Sequence, residues 1–129
     1  MKKKKSAALA AAAFLLAAWG AAWVHGGMGA AEVVRKLSGL RMSLALYAMD
    51  HGGKPASFGD TIRSGSLEDA PPLKLPGHFR RSSVRDVRTF AITDTGGWAY
   101  VNDPKDPSFG LLFIDCSHKD EKGRYWSEF

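Results

Sequence analysis

Residues 93–118, TDTGGWAYVNDPKDPSFGLLFIDCSH, are the stretch of the chain richest in groups that can do chemistry. Asp94-Thr95-Gly96 has the letters of an aspartic-protease loop. That chemistry needs a pair of carboxylates sharing one proton, each on its own Asp-Thr/Ser-Gly loop. This chain carries one such loop, and Gly97-Trp98 follows it where small or polar residues are usual. The tripeptide therefore reads as a strand end and tight turn. Asp103, Asp106 and Asp115 are candidate ligands for calcium, which gathers many oxygens, often from aspartates and carbonyls of one loop. Asp120 could join them, although the spacing is not that of an EF-hand and Lys105, Lys119 and Lys122 are interleaved. Calcium is the one cofactor these residues admit.

Cys116 is the single cysteine, so an internal disulfide and any cysteine-based zinc cluster are excluded. It follows the apolar run Leu111-Leu112-Phe113-Ile114 and is expected to be a buried small thiol. His118, two residues on, would share its strand face, but packing is the expected role there rather than nucleophilic catalysis. His25, His51, His78 and His118 show no paired ligand spacing and are assigned no metal. His51 sits where a helix C-terminus favours a histidine through the dipole alone. There is no phosphate-binding glycine loop and no Gly-x-Ser-x-Gly elbow, so no enzyme is expected.

The elements that must position these groups follow from periodicity. Gly26-Gly27 and Gly29 loosen or break the helix after the apolar N-terminal segment. Beyond them Val33, Leu37, Leu40, Leu44 and Tyr47 recur at steps of four and three, which predicts a helix from about Ala30 to Asp50. Met42, Leu46 and Met49 form a second apolar stripe on roughly the opposite face, which needs its own cover, either a loop of the same domain or, as an interaction face, another subunit. Gly52-Gly53 and Pro55 stop the helix. Ser57 and Asp60 then begin a short second helix in the manner of a capping box, followed by the proline-rich extended loop of residues 68–79. The period then changes to two. Strands are predicted at Val87–Asp94, Trp98–Asn102 and Gly110–Asp115, with a tight hairpin at Gly96-Gly97 and a longer, proline-stiffened loop over 103–108. The expected fold is α+β: one long N-terminal helix packed on a small antiparallel sheet of about three strands.

The first 29 residues read as an address and residues 30–129 as one extracytoplasmic domain. Four lysines precede Ala7–Val24, which carries no charge and makes about 27 Å of helix, close to a bilayer's hydrocarbon thickness. Leu9, Phe14, Leu15, Leu16, Trp19, Trp23 and Val24 are its anchoring side chains, the indoles lying near the far interface. Positive charge stays inside, so the N-terminus is expected in the cytoplasm and the domain in the periplasm, as a single-pass inner-membrane protein. The alternative is a cleaved signal peptide, for which small-x-small triplets near Ala22 and Ala31 offer sites. That would release a secreted or periplasmic binding module.

The chain is 45% hydrophobic and 24% charged, a globular balance. Its net charge of +5 owes most to Lys2–Lys5; the remainder holds 14 basic against 13 acidic residues. Arg80, Arg81, Arg85 and Arg88, with Asp86 among them, are a solvated loop and strand edge, and no nucleic-acid partner is expected.

The basic leader, apolar helix and amphipathic continuation resemble the pilin-like proteins, in particular the major pseudopilins of type II secretion systems. LRMSLALYAMDHGGKPASFGDTI (40–62) is similar to that family's helix exit, and GGWAYVNDPKDPSFGLLFI (96–114) to the Gly-Gly-Trp-x-Tyr hairpin of its C-terminal sheet. The residues a prepilin peptidase reads in that family have no counterpart, since no glycine precedes Gly20 and no acid precedes Glu32. The resemblance is thus to a divergent relative. It implies a non-enzymatic structural subunit of a type II secretion or type IV pilus apparatus, held in the inner membrane. Its implied partners are other pilin-like subunits or platform proteins, and it adds weight to calcium in the C-terminal loops.

Overall fold

The computed structural model of the chain describes residues 2–129, with the side chains of Lys2, Val24 and His25 outside the described set. The chain is α+β, but the long N-terminal helix is two helices. The first, α1 (Lys2–His25), is alanine-rich, and alanine is the residue that costs a helix least. Leu9, Phe14, Leu15, Leu16, Trp19 and Trp23 are all exposed along it. Over Lys3–Trp23 it is long and apolar enough to be a membrane span or a signal sequence, and none of it is buried. Val24, the last anchor residue expected, has its side chain outside the described residues.

Residues 26–29 break the helix by being strapped to the proline-rich segment. The Met28 N–H donates to the Lys74 carbonyl at 2.8 Å. A Cβ on Gly27 would come within 2.6 Å of Pro76, so only glycine lets the link pass there. The second helix, α2 (Ala30–His51), starts without a side-chain N-cap. Its first free N–H, on Ala30, is instead taken by the Glu121 carboxylate at 3.1 Å. Val33, Leu37 and Leu40 are buried and Leu44 and Tyr47 half-buried, as the stripe predicts. Gly52 ends the helix in the left-handed conformation at φ 73°. His51 stays local, stacked on Tyr47 with ring centroids 4.0 Å apart.

A short helix, α3 (Gly59–Arg63), begins one residue later than Ser57 as cap would place it. The reach-back half of the capping box is present, with Asp60 accepting the Ser57 N–H at 3.2 Å. The proline-rich loop is less irregular than its composition suggests. Leu73 and Arg81 pair across it as an antiparallel bridge, and Leu73 and Leu75 are fully buried.

The sheet has three strands in the order β1 (Val84–Val87), β2 (Trp98–Val101), β3 (Leu112–Ile114). β2 and β3 are antiparallel, Trp98 opposite Ile114 and Tyr100 opposite Leu112, around the expected 103–108 loop. β1 and β2 are parallel, Val84 opposite Trp98 and Val87 opposite Val101. The sheet is therefore mixed, and the hairpin expected at Gly96-Gly97 does not form. The first strand ends at Val87, and residues 88–97 return along the back of the sheet. The period-two pattern there has a different cause. Phe90 packs on Phe113 with ring centroids 4.7 Å apart, and Ile92 lies against Ala99, Val101 and Phe113. The front face carries Trp98, Tyr100, Leu112 and Ile114 against α2, which leaves β2 buried on both sides. Tyr100 donates its hydroxyl to the Pro55 carbonyl at 2.7 Å, and burial pushes its phenol up to about 12.

The C-terminal residues close the core. Asp120 ties the 120–124 turn by accepting the N–H groups of Lys122 and Arg124 at 2.9 and 2.8 Å. A final 3-10 turn, Trp126–Glu128, buries the Trp126 ring. Arg41 of α2 donates to the carbonyls of Leu112 and Phe129, linking helix, sheet and C-terminal turn.

The two faces of α2 are expected to respond differently to truncation. Leu37→Ala should cost about 2–5 kcal/mol because it opens the core. Met49→Ala, on the exposed stripe, should stay within about 0.5 kcal/mol. Denaturant unfolding of the purified chain measures both.

Candidate metal centre

The expected calcium ligands are not brought together. Asp103 turns back on its own loop, accepting the Lys105 N–H at 3.0 Å, and Asp106 does the same with the Ser108 N–H at 2.8 Å. These are the local side-chain turns that aspartates before a bend commonly make. Asp115 is fully buried at the end of β3 and faces the crossover instead. Its carboxylate accepts the N–H groups of Thr93, Asp94 and Thr95 at 2.6, 3.0 and 3.2 Å. The hydroxyls of Thr93 and Thr95 add bonds of 2.7 Å each, and Arg85 approaches to 3.3 Å. Burial, the largest influence, opposes its ionisation, but the Thr93 and Thr95 donors prevail and hold its carboxyl below the usual range. With both oxygens so engaged, Asp115 is an anchor for the 93–95 loop and has no lone pairs to spare for an ion.

What that anchor presents is a different cluster. Among the described residues, one group of three or more histidine, cysteine or acidic side chains converges on a point: His78, Asp94, Cys116 and His118, with their donor atoms within 4.8 Å of one another. Each arrives for a local reason. His78 follows Leu75-Pro76-Gly77, where its N–H bonds the Leu75 carbonyl at 3.1 Å and Gly77 has φ 82°. Proline second and a positive-φ glycine third are what a type II turn requires. Asp94 sits at φ 61°, a left-handed conformation that aspartate tolerates better than most residues, under the three N–H bonds to Asp115. Cys116 and His118 leave β3 on one side of the chain, and the Trp126 N–H holds the His118 carbonyl at 3.1 Å.

The separations are short on every side. His78 Nε2 and His118 Nδ1 are 3.1 Å apart. Cys116 Sγ lies 3.3 Å from the first and 3.4 Å from the second. Asp94 Oδ1 is 3.3 Å from His78 Nε2 and 3.7 Å from His118 Nδ1. His78 and Cys116 are buried, whereas Asp94 and His118 reach solvent. Burial lowers the His78 pKa and raises that of the Cys116 thiol. The Ser117 N–H, at 2.9 Å, holds the Asp94 carboxyl below its usual range.

A cysteine beside a histidine and an aspartate also has the members of a nucleophilic triad. Here the thiol is fully buried and burial keeps it protonated, the opposite of an activated cysteine. Metal ligation is the chemistry the arrangement suits. The sequence assigns His78 and His118 no metal and the lone Cys116 no zinc cluster, because donors from three separate segments leave no spacing pattern and one thiol can join donors of other types; the one local signal is the Cys-x-His pair after a strand. Asp94-Thr95-Gly96 also finds its explanation here. Asp94 supplies a donor atom, Thr95 bonds Asp115, and a Cβ on Gly96 would collide with the His78 ring.

Gly96, at φ 74°, is therefore required twice, by backbone and by space. Gly96→Ala should destabilise the chain by about 1–3 kcal/mol or more. Gly53→Ala, where a Cβ meets nothing within 4 Å, is the matched control and should change stability by less than about 0.5 kcal/mol. Thermal unfolding of the two variants side by side reads the difference. No protein-family model, characterised protein or solved structure matches this chain.

Proposed function

We propose that the chain is a non-enzymatic, pilin-like structural subunit of a type II secretion or type IV pilus-type apparatus, anchored in the bacterial inner membrane with its α+β domain in the periplasm. The observation that carries this reading is a wholly exposed apolar helix joined directly to a helix with two apolar faces. No residue of Lys3–Trp23 is buried and the domain touches it only at its end, around Trp23, so a lipid bilayer is the cover proposed for the rest. On α2, Met42, Leu46 and Met49 remain exposed after the opposite stripe has packed on the sheet. A neighbouring pilin-like subunit or a platform protein is the cover proposed for them, since exposed apolar stripes of this kind mark interfaces.

The junction between α1 and the domain suits a membrane surface. Trp23 packs against Phe79 with the rings tilted and their centroids 5.9 Å apart, and a groove of about 430 Å³ there includes Lys74 and Arg80. Aromatic and basic side chains gathered at one end of an apolar helix are the usual furniture of an interface. The tetralysine at the other end sets the orientation, with the N-terminus in the cytoplasm.

Membrane fractionation with mass spectrometry of the native N-terminus tests the reading. An intact α1 in the membrane fraction, co-purifying with an inner-membrane secretion or pilus platform, is the expected result. Cleavage near Ala22 or Ala31 with full solubility would sink it in favour of a secreted binding module.

A further inference from the structure

We propose that His78 Nε2, Asp94 Oδ1, Cys116 Sγ and His118 Nδ1 together bind a zinc ion that serves the fold rather than a reaction. Zinc bonds nitrogen at about 2.0–2.1 Å and sulfur at about 2.3 Å. A tetrahedron of such bonds has edges of about 3.3 Å between nitrogens and about 3.6 Å between nitrogen and sulfur. The histidine pair here is 3.1 Å apart, and the sulfur lies 3.3 and 3.4 Å from the two nitrogens. The Asp94 oxygen lies 3.3 and 3.7 Å from the same nitrogens and within 4.8 Å of the sulfur, a fourth donor on the same point. Hydrogen bonds alone account poorly for this shape. A ring nitrogen has one proton or one lone pair to offer, yet each of these two faces three other donor or acceptor atoms at once. A shared cation satisfies all of them.

The donor set selects the ion. Calcium and magnesium take oxygen, and one carboxylate among two imidazoles and a thiol is a poor site for either. Mixed sulfur, nitrogen and oxygen donors in tetrahedral array suit zinc. Four protein ligands leave no open position for water or substrate, which is the mark of a structural site. The supporting shell is also present. The His118 N–H points at Cys116 Sγ from 3.3 Å, and the Ser117 N–H bonds Asp94 Oδ1 at 2.9 Å. Such outer bonds orient and stabilise the anionic ligands of metal sites. Solvent reaches the cluster past Asp94 and His118, which gives the ion a way in.

The ion would pin the 75–78 turn to the 88–97 crossover and the chain leaving β3, two segments that Asp115 already joins. It would also hold the lone thiol as a bound thiolate, out of reach of oxidants beyond the cytoplasm. The proposal stands apart from the membrane reading, because an anchored chain and a secreted one would hold the ion equally well.

The test uses the full chain, purified in detergent through a histidine-free tag and without chelator. Elemental analysis should return one zinc per chain. Cobalt exchanged into the site should give the visible spectrum of a tetrahedral ion with a thiolate charge-transfer band. Removing the metal with a chelator should lower Tm by about 10 °C or more. His118→Ala changes an exposed side chain and should leave a folded protein whose zinc affinity is at least about tenfold weaker. Cys116→Ser should abolish the charge-transfer band, and Asp103→Ala should retain the zinc. A chain that takes up neither zinc nor cobalt would overturn the proposal. So would stoichiometric copper or iron in place of zinc, or full zinc retention in His118→Ala.

Discussion

The carboxylate of Asp115 lies at the end of β3, removed from water, where an unpaired charge would be prohibitive. It is tolerated because three successive N–H groups and two hydroxyls of residues 93–95 surround it, with Arg85 alongside. The dependence runs both ways. Without the carboxylate, three successive N–H groups of the 93–95 loop would lose the acceptor that holds the loop to the sheet end. With it, the loop is pressed against the sheet end, and the Gly96 N–H and Gly97 carbonyl complete the contact by bonding the Asp115 backbone at 2.8 and 2.9 Å.

That one contact decides the path of the crossover. With its far end held at Asp115, residues 88–97 must return along the back of the sheet, and β2 enters parallel to β1. The return brings Phe90 and Ile92 over Ala99, Val101 and Phe113, which converts a one-faced sheet into one buried on both sides. It also sets Asp94 at a positive φ beside the His78 turn and the Cys116-Ser117-His118 corner. The proposed zinc site is in this sense a by-product of satisfying a buried charge, since Asp94 is one of the donors to that charge and Cys116 directly follows Asp115.

Much of the helical half was legible in the sequence. The Val33–Leu40 stripe, the second apolar stripe of Met42, Leu46 and Met49 and the Gly52 stop are local patterns, and local patterns survive folding when nothing competes with them; that the domain leaves the second stripe exposed was not legible. The sheet was legible in strand content and not in direction. Alternation over residues 87–94 records only that one side of the segment is buried, and a crossover lying on a sheet has the same signature as a strand within it. The break between α1 and α2 was visible as glycines at 26, 27 and 29. The partner that enforces it, the 74–76 segment, was not.

By itself the sequence determined that an apolar helix precedes an amphipathic one, that a small three-stranded sheet follows, and that Cys116 is buried. Each of these depends on neighbours within a few turns of chain, where hydrophobic period and turn residues dominate the energy. Only the tertiary structure decided the parallel pairing, the anchoring role of Asp115, and the meeting of His78, Asp94, Cys116 and His118. Those depend on contacts between segments some 14 to 40 residues apart. Burying one carboxylate with its donors outweighs any local preference there, and no spacing along the chain encodes which donors will arrive.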